Sequence, residues 1–230
     1  MRSFWRWPWG ERALEPLAAY TLWAPAYGDE PQNALMRLEQ DAVLDLAPPL
    51  AGATVLDLAC GAGRYLKRLH AAGATCVVGL DLTPAMLARA RSFPGRLLRG
   101  DMTLLPLADS SFDFVLCGLA VGHVAALSGF LREVARVLRP GGAVVYSDVH
   151  PEAAHAGWTR TFRGPDGRWH TVLHHVHEPG EHRAACAAAG LAIEDVREPR
   201  VDFAHPWEGR PAVLALRARR PPLVQTARAR

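Results

Sequence analysis

The chain has 230 residues, half of them hydrophobic, and a formal net charge of only +3. That is material for one domain, 1–230, with a large core, and nothing demands a second. Cys60, Cys76, Cys117 and Cys186 show no paired spacing, no apolar run approaches a membrane span and the first residues lack a charged-then-apolar leader, so the chain reads as a cytoplasmic protein with reduced thiols.

In chain order, Phe4-Trp5-Arg6-Trp7-Pro8-Trp9 is an aromatic cluster suited to packing on the body or on a partner. Ala13 to Tyr27 places Tyr20, Trp23 and Tyr27 on one helical face, and Asn33 to Leu46 is a second amphipathic helix that Pro48-Pro49 ends. These make a helical cap over 1–50. Val55 to Tyr65 is a short apolar run, a glycine-rich turn and a helix start, that is, a strand feeding a helix through a tight loop. Gly61 and Gly63 let the backbone approach a ligand, and the helix start offers unpaired N–H groups. A dinucleotide fingerprint wants a small residue where Leu66 stands. Asp57 at the strand end would repel a pyrophosphate but pair with an ammonium group, so the zwitterionic sulfonium nucleoside S-adenosylmethionine (SAM) fits better.

A second strand, Thr75 to Asp81, ends in an acid placed to accept bonds from ribose hydroxyls. Thr83-Pro84 opens a helix with Met86, Leu87 and Ala90 inward, and a third strand, Arg96 to Gly100, ends in Asp101-Met102. Parallel strands end on one side of a sheet, so Asp57, Asp81 and Asp101 are expected to line one crevice. Strand four, Phe114 to Gly118, delivers Leu119 to Val124 and His123 to the same rim. After a helix through Phe130 and Val137, closed by Pro140-Gly141-Gly142, strand five, Ala143 to Asp148, delivers His150. Gly164-Pro165-Asp166-Gly167 is the turn of a β-hairpin inserted over 151–178. On its second arm alternation puts His170, His174 and Val176 on one face and Thr171, Leu173, His175 and His177 on the other. A last helix, Gly180 to Ala189, strands Ala192 to Arg197 and Ala212 to Arg217, and a basic tail over 221–230, read as a solvated end, complete the chain.

Val55-Leu56-Asp57-Leu58-Ala59-Cys60-Gly61-Ala62-Gly63, Gly79-Leu80-Asp81-Leu82-Thr83-Pro84-Ala85-Met86-Leu87, Gly100-Asp101-Met102, Leu105-Pro106-Leu107, Ser111-Phe112-Asp113-Phe114-Val115 and Leu138-Arg139-Pro140-Gly141-Gly142 follow one another in order. In these motifs the sequence resembles the class I SAM-dependent methyltransferases. The likeness is to the small-molecule group that includes the ubiquinone and menaquinone biosynthesis enzymes. The resemblance implies an α/β, Rossmann-like doubly wound fold with a seven-stranded mostly parallel sheet, an N-terminal helical lid and the hairpin inserted after strand five. It implies that Asp57, Gly61 and Gly63 hold the methionine moiety, Asp81 the ribose and Asp101 the adenine amino group, with Met102 beside the ring. Ala59, Leu82, Leu119 and Tyr27 complete the cofactor set; Ala59 stands where many members have glycine. The face of Tyr20, Trp23 and Tyr27 reads plainly as core packing, and the resemblance implies that a Tyr-rich N-terminal segment of this kind folds over the SAM site.

Histidines gather between His150 and His182. His175 and His177 could share a strand face toward a metal, but acids and thiols are sparse nearby and no metal is expected. General-base chemistry suits imidazole near neutral pH, with His123 and His150 at strand tips and His174 on the hairpin as the candidates. The expected function is methyl transfer from SAM to oxygen or an activated carbon of a small hydrophobic or aromatic acceptor, walled by Leu119, Ala120, Val121, Trp158 and Phe162. Cys117-Gly118-Leu119-Ala120 bears no likeness to the Asn/Asp-Pro-Pro-aromatic motif of adenine and glutamine N-methylation, so no nucleic-acid partner is expected, and the protein reads as a monomer or homodimer. A SAM- or SAH-binding protein without transferase activity, acting as partner subunit or sensor, shares every cofactor residue. A nicotinamide-dependent oxidoreductase is disfavoured by Leu66 and Asp57.

Overall fold

Apolar runs too short for helices and bounded by glycine or proline become the central strands. The computed structural model describes residues 13–223, so the Phe4 to Trp9 cluster and the end of the basic tail lie outside the described residues. The sheet is built from β1 (Thr54–Leu58), β2 (Cys76–Asp81), β3 (Arg96–Arg99), β4 (Phe112–Cys117), β5 (Leu138–Val149), β8 (Ala192–Arg197) and β9 (Val213–Arg219), with β6 (Thr161–Arg163) and β7 (Trp169–Thr171) forming a separate hairpin. Its order is β3-β2-β1-β4-β5-β9-β8, and only β9 runs against its neighbours.

The helices are α1 (Pro16–Trp23), α2 (Ala34–Leu46), α3 (Leu66–Ala71), α4 (Pro84–Arg89), α5 (Leu127–Val137), α6 (Pro151–His155) and α7 (Pro179–Ala188). They cover both faces, because alternate residues of each strand carry separate cores. Leu56, Leu58 and Val115 pack with Phe130 and Leu131 of α5 and Cys186 of α7. Val55, Phe114 and Leu116 pack with Val43 of α2 and Leu66 and Leu69 of α3. By that alternation Asp57 points to the second face, among α2 and α3.

Leu66, too large for a dinucleotide turn, is accommodated by Gly79: a Cβ there would lie 3.0 Å from the Leu66 side chain and 2.9 Å from that of Leu97. Several boundaries differ from the sequence reading. β5 begins at Leu138, which pairs with Phe112, and a register irregularity between Phe112 and Phe114 absorbs the Pro140-Gly141-Gly142 turn. The inserted segment opens with α6 before its hairpin.

The alternating arm expected over His170 to His177 ends at Thr171. There the chain leaves β6 and takes Leu14 as its neighbour, with the Leu14 N–H donating to Thr171 O at 2.8 Å and the Leu173 N–H to Leu14 O at 2.8 Å. His174, His175 and His177 therefore sit on irregular backbone, and their facing is set by long-range contacts. The insert is thereby stitched to the segment before α1, and Trp23 of that helix stacks on Phe162 with ring centres 4.8 Å apart. No described helix is long and apolar enough to cross a membrane.

Candidate functional site

A cavity of about 980 Å³ opens at the carboxyl ends of the parallel strands. The sheet order divides it. On the β2–β3 side it is lined by Gly61, Asp81, Leu82, Gly100, Asp101 and Met102; on the β4–β5 side by Leu119, Ala120, His123, Trp158, Arg160 and Phe203; Tyr20, Trp23 and Tyr27 cover it from α1 and the turn after it. Of the sequence-derived cofactor set, Ala59, Gly61, Asp81, Leu82, Asp101, Met102, Leu119 and Tyr27 line the cavity, whereas Asp57 and Gly63 lie behind the lining.

Asp81 is a structural hub of the first half. Its Oδ2 accepts from Gly61 N–H and its Oδ1 from Thr83 N–H, each at 2.8 Å, so one carboxylate ties the glycine turn to the start of α4. Thr83 itself makes no side-chain cap there. Burial pushes the Asp81 carboxyl up, and the two backbone donors act against that shift. Asp101 is exposed and is held by Thr103, whose N–H and hydroxyl both donate to Oδ1 at 2.7 Å.

Asp57 is 1 % exposed, and its Oδ2 has no hydrogen-bond partner among the described residues. Burial drives its carboxyl well above the usual range, Arg64 works the other way, and Asp81 adds repulsion. The expectation that all three acids line one wall is corrected to two on the wall and one behind it. An unsatisfied buried acid beside an open glycine turn, where a Cβ at Gly61 would meet nothing within 4 Å, suits an amino-acid moiety carrying an ammonium group, and Asp81 suits a ribose. Ala59 and Leu119, both on the lining, hold left-handed backbone at φ 59° and 53°, a strain that side chains tolerate where surrounding contacts fix the chain.

At Leu119 that fixing comes from a buried network the sequence reading did not find. Glu39 of α2 is fully buried; its Oε2 accepts from Arg64 Nη2 at 2.8 Å and the Tyr65 hydroxyl at 2.9 Å, and its Oε1 from the Ser147 hydroxyl at 2.6 Å. Ser147 Oγ in turn accepts the Leu119 N–H at 2.9 Å.

The three histidines separate. His123 lines the cavity with both ring nitrogens engaged: Nδ1 donates to Leu173 O at 3.3 Å, and Nε2 accepts from the Tyr20 hydroxyl at 3.0 Å and faces Arg160 Nη1 at 2.7 Å. His150 does not reach the cavity; it turns to the start of α6, where Nδ1 accepts the Glu152 N–H at 3.2 Å. His174 does not reach it either, its Nε2 lying 3.1 Å from Asp148 Oδ1 behind Gly122. Phe162 and Val121, expected on the acceptor wall, are buried in the core, while Trp158 is on the lining. Arg160, absent from the sequence reading, joins the two groups through Tyr20, Leu119 O and His123. Among the described residues no three histidines, cysteines or acids are placed to share a metal ion.

Burial lowers His123 to about 3, assisted by the Arg160 charge, and lowers His182 to about 4, assisted by His177. Burial opposes the charge on Asp148, but His174 and Arg160 outweigh it and hold that carboxyl at about 2. Both histidines fold with values below the ordinary imidazole value of about 6.5. Their stabilisation is therefore complete above that value and is lost as the pH falls toward the folded ones. The raised Asp57 and Asp81 carboxyls act the other way over the same range, so the imidazoles are read by difference: the melting temperature of wild type is expected to fall relative to that of His123→Gln and His182→Gln as the pH drops from about 6.5 to 4; a difference that stays constant with pH in parallel thermal melts would contradict the buried neutral imidazoles.

Residues 56–146 match a family model described as a methyltransferase domain. The chain is 35% identical over 183 residues to the malonyl-[acyl-carrier protein] O-methyltransferase of Dechloromonas aromatica, across 79% of this chain and 67% of that one. It is 42% identical over 123 residues to the phthiotriol/phenolphthiotriol dimycocerosates methyltransferase 1 of Mycobacterium ulcerans, across 50% of this chain and 44% of that one. It thus spans about two thirds of the first relative and less than half of the second. The crystal structure of an S-adenosylmethionine-dependent methyltransferase from Mesorhizobium loti aligns with a TM-score of 0.66 and 30% identity, covering 80% of this chain and 98% of that one. Strand order, the acid-and-glycine half of the cavity and these relatives agree: the chain belongs to the class I SAM-dependent methyltransferases.

Proposed function

We propose that the protein transfers a methyl group from SAM to oxygen or an activated carbon of a small hydrophobic or aromatic acceptor bound in the same cavity. The observation that carries this reading is the division of the cavity by the sheet order, with acids and a glycine turn on the β2–β3 side and aromatic and apolar side chains on the β4–β5 side. At about 980 Å³ it sits at the upper end of ligand pockets, with room for two molecules.

Bound there, SAM supplies an electrophilic methyl group on a sulfonium leaving group. Asp81 would accept the ribose hydroxyls, Asp101 and Met102 the adenine, and Asp57 the charge of the amino group. Tyr20, Trp23 and Tyr27 form an aromatic cover, with Trp23 and Tyr27 ring centres 4.9 Å apart, that would exclude water. Leu119 and His123, held by Ser147 and Arg160, would fix the acceptor in line with the methyl, and alignment rather than proton transfer is the protein's largest contribution. His150 and His174 lie outside the cavity and would act only through the groups they brace.

The names of the two relatives give different acceptors, so the acceptor class is read from the cavity wall. Working as a cytoplasmic monomer or homodimer is part of the same proposal. S-adenosylhomocysteine (SAH) at a hundred times its dissociation constant is expected to add about 2.7 kcal/mol of stability and NAD none. Thermal melts with each, followed by label transfer from methyl-tritiated SAM to apolar acceptors, test it. No shift with SAH, or an equal shift with NAD, would defeat the reading.

A further inference from the structure

We propose that the acceptor is a carboxylic acid on an apolar body, its carboxylate held by Arg160 on the β4–β5 side of the cavity. The inference rests on the methyl-transfer reading above and adds the substrate's charge to it.

Arg160 comes from the inserted segment just before β6, and its side chain, 13% exposed, lines the cavity. Its Nη1 donates to the Tyr20 hydroxyl and to Leu119 O, both at 2.7 Å. Its Nη2 lies 3.6 Å from Asp148 Oδ1, too far for a hydrogen bond, and that same oxygen is 3.1 Å from His174 Nε2. Nη2 and Nε make no hydrogen bond among the described residues, so part of a buried guanidinium fork is left for something in the cavity. Neither atom is among the fully buried polar atoms without a partner among the described residues, so both are open to an incoming group, and two parallel N–H donors match the two oxygens of a carboxylate.

The imidazoles point the same way. Both nitrogens of His123 are engaged, and His205, the other histidine on the lining, accepts the Trp207 N–H at 3.0 Å through Nδ1, which leaves the proton of the neutral ring on Nε2. Neither has a lone pair free to take a proton from an alcohol or phenol. A carboxylic acid needs none taken, because it arrives ionised near neutral pH. In the transfer a lone pair on a carboxylate oxygen forms the O–C bond to the methyl carbon while the C–S pair returns to sulfur. The products are a methyl ester and neutral thioether SAH; carboxylate and sulfonium charges cancel and no proton moves.

Matched pairs test this without knowing the natural acceptor: octanoate against octanamide and phenylacetate against phenylacetamide, each titrated calorimetrically into the protein saturated with SAH. Wild type is expected to bind the carboxylates about tenfold or more tighter than the amides, Arg160→Gln to bring that ratio to about one, and Arg160→Lys to keep most of it. The ratio is internal to each variant, so a change in fold stability or cofactor affinity does not imitate the result. Equal binding of acid and amide by SAH-saturated wild type overturns the proposal. So does an Arg160→Gln variant that weakens SAH itself and leaves the ratio intact, which would assign the guanidinium to the cofactor's own carboxylate. Protein that binds no SAH at all overturns the methyl-transfer reading, and this inference with it.

Discussion

Asp81→Ala is expected to weaken SAH binding about a hundredfold, a loss of about 3 kcal/mol. The carboxylate already accepts the Gly61 and Thr83 N–H groups at 2.8 Å, and it lines the cavity at the tip of β2. Alanine removes the ribose acceptor and releases the glycine turn from the start of α4. Each charge-assisted hydrogen bond lost is worth about 1.5–3 kcal/mol. Asp81→Asn keeps one acceptor oxygen and no charge, so its loss is expected near tenfold. Calorimetric titration of SAH into the three proteins checks the series. Binding by the alanine variant within about threefold of wild type would show that the ribose is held elsewhere.

The two halves of the cavity differ in how far they can be read from the chain. The β2–β3 half is written locally: Asp81 and Asp101 each end an apolar run, and the period of a strand then fixes which rim they reach. The same holds for β8, which spans Ala192–Arg197 as its alternation requires, and for α2, whose cap Asn33 accepts the Met36 N–H. Asp57 shows the limit of that logic: its position on β1 is readable, but whether its carboxylate reaches the cavity depends on Arg64 and Glu39 packed against the other face. In the β4–β5 half almost nothing is local. Arg160 meets Tyr20, 140 positions away, and the site of His174 is decided by Asp148 and by the Leu14 contact that pulls the hairpin arm off its expected alternation. No periodicity in a single sequence carries such pairings. Glu39 on α2 and Arg64 in the turn before α3 likewise carry no local mark of the burial that joins them.

Glu39→Ala is expected to lower the melting temperature by about 10 °C. Glu39 has two oxygens and three side-chain donors, Arg64, Tyr65 and Ser147, at 2.6 to 2.9 Å, with Arg64 itself only 8% exposed. Removing one member of a buried ion pair leaves the other desolvated and unpaired, a cost of about 3–5 kcal/mol, and a chain of this size loses about 2–4 °C per kcal/mol. Glu39→Gln keeps hydrogen bonds without the charge and should fall between. Replacing the pair together, as Glu39→Met with Arg64→Leu, should recover most of the loss, because the price is set by the orphaned cation rather than by the absence of the pair. The damage also reaches the cavity: Ser147, freed from Glu39, no longer holds the Leu119 N–H, and Leu119 is in left-handed backbone that needs that restraint. The double variant should therefore regain its melting temperature but not its affinity for SAH. Parallel melts and SAH titrations on wild type, both single variants and the pair separate the two effects, and a drop below about 3 °C for Glu39→Ala would show that water, not burial, surrounds the pair.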